Sequence, residues 1–165
     1  MKLDVKLKSA DKFFSELKKV EQQVKGPVVK VGILSGATTD EGQNVAQYAV
    51  YNEFGTEHIP ARPFMRRTVE TKSERWNKIA EAAMRNRVID PDMVHTVLQT
   101  VGLAAASDVQ ETIASNMAPP NSPKTMERKT KGIKGAGKGE PKTHVPGTLI
   151  DTGTMIKAIS HRVED

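Results

Sequence analysis

The chain has 165 residues, with 25 Lys and Arg against 20 Asp and Glu, and no cysteine. Disulfides, thiolate metal sites and cysteine nucleophiles are therefore excluded. The length suits one domain with a real core, and no apolar run approaches the roughly 18–20 residues of a bilayer span. The start, Met1 to Phe14, carries charges where a signal peptide needs an apolar stretch, so export by that route is not expected.

The net charge of +5 is localised. Residues 118–147 hold seven basic residues (Lys124, Arg128, Lys129, Lys131, Lys134, Lys138, Lys142) and two acidic ones (Glu127, Glu140), while the rest of the chain carries 18 of each sign. The same stretch has five of the twelve glycines and five of the nine prolines. Composition thus predicts a single domain over 1–165 with residues 118–147 as a flexible basic insert.

In chain order, residues 2–8 alternate apolar (Leu3, Val5, Leu7) with charged, the period of a half-buried strand. Phe13, Leu17, Val20 and Val24 then mark one stripe of a helix near 10–25, which Gly26-Pro27 ends. A second strand is expected near 28–34, with Val29, Val31 and Ile33 on one face, followed by a loop over 35–42. Asn44 with Gln47 has the form of a capping box, placing a helix near 44–54 with Gly55 at its C-terminus.

Pro60 and Pro63 hold the next segment extended. Met65, Val69, Trp76, Ala80 and Ala83 mark a charged helix near 64–88. Asp90-Pro91 caps a fourth helix near 91–116, striped by Val94, Leu98, Val101, Ala105 and Ile113 and closed by Pro119-Pro120. A last strand is expected near 158–163, with Ile159 and Val163 on one face. The fold class is α+β: a small, mostly antiparallel sheet packed by helices, with a long basic loop.

Two motifs imitate chemistry. Leu149-Ile150-Asp151-Thr152-Gly153-Thr154 resembles an aspartic-protease signature, but only eleven residues follow it, too few for the rest of such a barrel. Asp151, Thr152 and Gly153 are expected instead to cap a short helical turn, with Asp151 as the N-cap. Gly132 to Gly139 matches a phosphate-binding loop until its last position, where glycine replaces the Ser or Thr that holds magnesium. A basic linker explains it. His58, His95, His144 and His161 are not paired at metal-ligand spacing. No catalytic residue, metal or cofactor is expected.

Four of the seven aromatics (Tyr48, Tyr51, Phe54, Phe64) crowd into residues 48–64. There Tyr48, Ala49, Glu53, Phe54, Gly55 and Thr56 are followed shortly by Pro60-Ala61-Arg62-Pro63-Phe64. This block resembles the tail-completion, or neck, proteins of tailed bacteriophages, the minor tail protein Z-like family. Val31-Gly32-Ile33 resembles the strand that precedes the family's block, and Leu149 to Val163 resembles its C-terminal pattern. The resemblance covers roughly 1–117 and 148–165 and leaves out the basic insert.

The resemblance implies a non-enzymatic virion protein, assembled in the host cytoplasm. It would form a ring, a hexamer, at the head-proximal end of the tail, completing the tail and joining it to the head. Its partners would be further copies of itself, neighbouring neck or head-closure proteins, and tail-terminator or tail-tube proteins, with no membrane involved. On this reading Glu53 and Arg62 form an ion pair within a subunit or across the ring. Phe54 and Phe64 anchor the Pro-rich segment, Gly55 supplies the turn, and Pro60 and Pro63 stiffen an arm suited to an interface. The plainer alternative is that the block is a staple internal to the fold.

The basic insert would be disordered in isolation and face the lumen or a neighbouring ring, where it could contact genomic DNA non-specifically through phosphates. A different class of function also fits that charge: a small DNA-binding or packaging accessory protein acting through 118–147.

Overall fold

The computed structural model describes residues 11–12, 15–16, 18–19, 26–34, 36–38, 42, 44–85, 90–134, 147–150 and 153–164. They form an α+β fold: β1 (Val28–Ile33), α1 (Val45–Phe54), α2 (Phe64–Met84), α3 (Pro91–Ala114), α4 (Pro123–Lys134), α5 (Thr154–Lys157) and β2 (Ile159–Glu164). The strand expected at 2–8 and the Phe13–Val24 stripe lie outside the described residues. Residues 11–12, 15–16 and 18–19 are helical and exposed, in keeping with the helix expected there.

β1 and β2 pair antiparallel, with Val29 opposite Val163, Val31 opposite His161 and Ile33 opposite Ile159. Because side chains alternate across a strand, these six share one face, and the sheet packs on α3. Gly102 of α3 permits the close approach: a Cβ there would lie 2.6 Å from both the His161 ring and the Val29 methyl. Beside it, His161 Nε2 and Gln99 Oε1 are 2.9 Å apart.

The capping signals at two helix starts are realised. Asn44 Oδ1 accepts from Ala46 N at 2.9 Å and Gln47 N at 3.2 Å. Gln47 itself does not reach back to complete the box; its side chain donates to the Tyr51 hydroxyl at 2.7 Å. Asp90 Oδ1 accepts from Met93 N at 2.7 Å, with Pro91 in the first turn, where no amide hydrogen is needed.

α3 is the central helix, with α2 antiparallel against one side and the sheet on another. It is therefore buried over a broad arc, through Val97, Gly102, Ala105, Ala106, Val109 and Ile113, rather than along the narrow stripe expected. The α2 stripe is also displaced. Val69 is half exposed, and the buried line runs through Phe64 and Thr68.

Apolar spacing missed that line because its contacts are polar. Thr68 Oγ1 bonds Phe64 O and Thr112 Oγ1, each at 2.7 Å. One turn further, the buried carboxylate of Asp108 accepts from Trp76 Nε1 at 2.7 Å and Arg75 Nη1 at 2.5 Å. Phe64, Val109, Ile113, Met117, Leu149, Met155 and Ile159 close the main core together with Val45 and Ala49 of α1.

Candidate interaction site

The block from Tyr48 to Phe64 spans the end of α1, a loop, and the first residue of α2. α1 stops at Gly55, whose amide donates to Tyr51 O at 2.9 Å. Gly55 has φ +75°, and a Cβ there would meet Ala61 N at 2.7 Å and Ile59 O at 2.9 Å, so only glycine fits without distortion.

Thr56 then organises the loop. Its Oγ1 accepts from His58 N at 3.2 Å and Ile59 N at 3.0 Å, and its amide donates to Ile59 O at 2.7 Å. The chain folds back, because Arg62 N donates to Asn52 O at 2.7 Å. Around Pro63, with φ −75° and ψ 68°, Phe64 N donates to Arg62 O at 2.8 Å, an inverse γ-turn. Pro60 is exposed, but the segment lies against α1 and is not a projecting arm. Phe64, 1% exposed, is the anchor. Phe54 is half buried and carries the Arg66 guanidinium 4.8 Å from its ring centre, a cation–π contact.

Within the chain, Glu53 and Arg62 do not form the ion pair expected within a subunit or across the ring; each has other partners. Glu53 is buried at 5% exposure, and its carboxylate turns to the start of α2, where Pro63 occupies the cap position without capping. Oε2 accepts from Met65 N at 2.9 Å, and Oε1 accepts from Arg66 N at 3.2 Å and Arg66 Nε at 2.9 Å. Arg66 Nη2 adds a bond to Glu53 O at 3.0 Å. A carboxylate from α1 thus satisfies two orphan amides of α2 and meets the positive end of its dipole. The charges within the block point to Arg62, whereas the partner, Arg66, lies just beyond it in the first turn of α2. The available signal was a helix start that lacked an acid of its own.

Arg62 is buried at 4% exposure and points the other way. Its Nε donates to Pro119 O at 2.8 Å, and Nη2 donates to Pro120 O at 3.2 Å and Asn121 Oδ1 at 3.1 Å. Burial pushes its guanidinium below the ordinary value, and the nearby Tyr48 acts in the opposite direction. Neutral carbonyls, which proline cannot match with an amide hydrogen of its own, receive the donors of this charge.

Arg62 therefore ties the block to the start of the basic insert, which is not the continuous loop expected over 118–147. Residues 123–134 form α4. Ser122 starts it: its Oγ accepts from Thr125 N at 3.3 Å, and Pro123 occupies the first turn. Glycine content masked this helix, because the glycines cluster after residue 131.

Lys129, expected within the flexible basic insert, is buried at 6% exposure. Its Nζ donates to Gly147 O at 2.8 Å, Thr148 O at 3.3 Å and Ile150 O at 2.8 Å. Asn121 Nδ2 donates to Thr148 O at 3.0 Å, and Asn116 Oδ1 accepts from Thr148 N at 3.1 Å. The two ends of the insert are therefore joined to each other and to the body.

Lys124 is exposed at the start of α4, while Arg128, Lys131 and Lys134 are placed by its backbone. Lys138 and Lys142 lie outside the described residues. The glycine-rich motif begins within the helix, at residues 132–134, instead of in a linker. Near the C-terminus, Gly153 holds the N-cap position of α5 with φ +80° and no side-chain cap. It takes the place expected for Asp151, which with Thr152 lies outside the described residues. His58 and His95 are exposed, and among the described residues no group of three or more His, Cys, Asp or Glu could hold a metal ion.

Comparison of the chain with protein-family models, with curated proteins and with solved structures finds no match.

Proposed function

We propose that the chain is a structural subunit of a tailed bacteriophage, forming a ring (a hexamer) at the head-proximal end of the tail that completes the tail and joins it to the head. The reading rests on one observation: the block Tyr48-Ala49, Glu53-Phe54-Gly55-Thr56 and Pro60-Ala61-Arg62-Pro63-Phe64, whose residues resemble the signature of that family. The geometry supports it by giving most of those side chains a definite task. Glu53 caps a neighbouring helix, Gly55 permits a close backbone approach, Thr56 closes a turn, Arg62 binds the insert, and Phe64 fills the core. The block itself acts as a staple internal to the subunit, so ring contacts would come from other surfaces.

The test is to image particles assembled without this protein and to weigh the purified chain in its native state. Full heads and complete tails that fail to join, with a closed ring in the isolated or tail-bound protein, are expected. Normal particles from the deletion, or a chain that stays monomeric on tail tubes, would overturn the proposal.

A further inference from the structure

α4 is a weak helix by its own composition. It has 12 residues, and isolated helices shorter than about 12–15 residues are marginal in water. Thr125, Thr130 and Gly132 each lower its intrinsic propensity. Its order therefore depends on docking against the rest of the chain.

The described side chains of α4 supply little apolar docking. Pro123, Lys124, Met126 and Glu127 are exposed, and Thr125 is half buried. The Met126 sulfur lies 3.8 Å from Asn121 Nδ2, but the side chain stays 39% exposed. None of these residues belongs to the main core. Among them Lys129 is the one that is buried. Its ammonium donates to the carbonyls of Gly147, Thr148 and Ile150, which lie beyond the far end of the helix in sequence.

The entry to α4 is held in another way. Arg62 binds Pro119 O, Pro120 O and Asn121 Oδ1, and Asn121 Nδ2 donates to Thr148 O at 3.0 Å. All of these bonds precede the helix and can persist when it leaves the body. The base is thus anchored, while the helix beyond it is fastened through a lysine.

We propose that α4 is a strap that opens from the body as a unit, pivoting at residues 121–122 while the body stays folded, with Lys129 as its catch. Regions with few buried apolar contacts open at a fraction of the free energy of global unfolding. The catch is also finely balanced, because burying an ammonium carries a desolvation cost that its carbonyl bonds must offset. Opening returns the ammonium and the three carbonyls to water together, so no apolar core has to be taken apart or repacked. The strap is a property of the single chain, and its test does not depend on ring formation.

The experiment is hydrogen-exchange mass spectrometry of the full chain under native conditions. Amides of residues 127–134 are expected to exchange at least about 100-fold faster than the slowest amides between Val97 and Ile113, yet more slowly than an unfolded chain. Lys129→Met is expected to speed exchange in α4 by about tenfold or more and to leave α3 unchanged. The same replacement at an exposed site of the helix, Lys124→Met, is expected to change exchange in α4 by less than about threefold.

Exchange in α4 as slow as in α3 would overturn the proposal, since the helix would then open only with the whole fold. A complete lack of protection in α4 would overturn it too, because the strap would never close. Equal acceleration of α3 by Lys129→Met would make the lysine a support of the body and not a catch. Equal effects of the two substitutions would reduce the result to helix propensity and likewise remove the catch. Should Lys129→Met fail to fold, the comparison of α4 with α3 in the native chain decides the matter.

Discussion

Glu53 and Arg62 sit nine positions apart in one block, carry opposite charges, and are both almost fully buried. Yet they are satisfied separately and by different means. The Glu53 end uses backbone amides at a helix start together with a partly exposed arginine. The Arg62 end uses neutral carbonyls from a proline-rich segment and an asparagine oxygen. An isolated buried charge is costly, and the difference teaches that the backbone can meet that cost at either sign. Amides do so where a helix begins, and carbonyls where prolines leave them without a regular ladder. Each end consequently joins different parts of the fold: Glu53 couples α1 to α2, and Arg62 couples the block to the insert.

Glu53→Ala should be the most damaging way to break this arrangement. It leaves two amides uncapped at the start of α2 and frees Arg66, which is partly solvated. The expected loss is about 3 kcal/mol in denaturant unfolding. Arg62→Met should cost about 2 kcal/mol, because its acceptors are neutral and some regain water once the charge is gone. It should also speed proteolysis between residues 118 and 147, which Glu53→Ala should affect less.

The smallest effect is expected at the sheet, where Glu164 is an anion of an ordinary kind, bridged to Lys30 at 2.6 Å and also to Arg162. Chiefly its hydrogen bond to Lys30, and then those to Arg162, hold its carboxyl below the usual range. Its contribution is therefore complete above the unfolded-state value and fades as pH falls through the lower folded value. The melting-temperature gap between the native chain and Glu164→Gln should be present near neutral pH and close below about pH 4. High salt should shrink it at any pH.

These contrasts also mark where the sequence was readable. Elements with local signals were legible: Asn44 and Asp90 announced helix starts, Gly55 a stop, and Val29, Val31 and Ile33 a strand face. What depended on distant partners was not. Nothing near residue 64 shows that its helix is capped from Glu53, and nothing near Lys129 shows three carbonyls from residues 147–150 around it. The Thr68–Thr112 contact displaced the α2 seam because apolar periodicity cannot register a polar pair that bonds across helices. The average composition of the insert points to a loop, although its glycines begin only at Gly132, after nine residues of the helix that starts at Pro123.

The most direct test of separate satisfaction is a pair of double-mutant cycles sharing Glu53→Ala, one with Arg66→Met and the other with Arg62→Met, measured by denaturant unfolding. The account predicts a coupling of about 1 kcal/mol or more for Glu53 with Arg66, and less than about 0.5 kcal/mol for Glu53 with Arg62. The reverse order would contradict it and restore Glu53 and Arg62 as each other's partners.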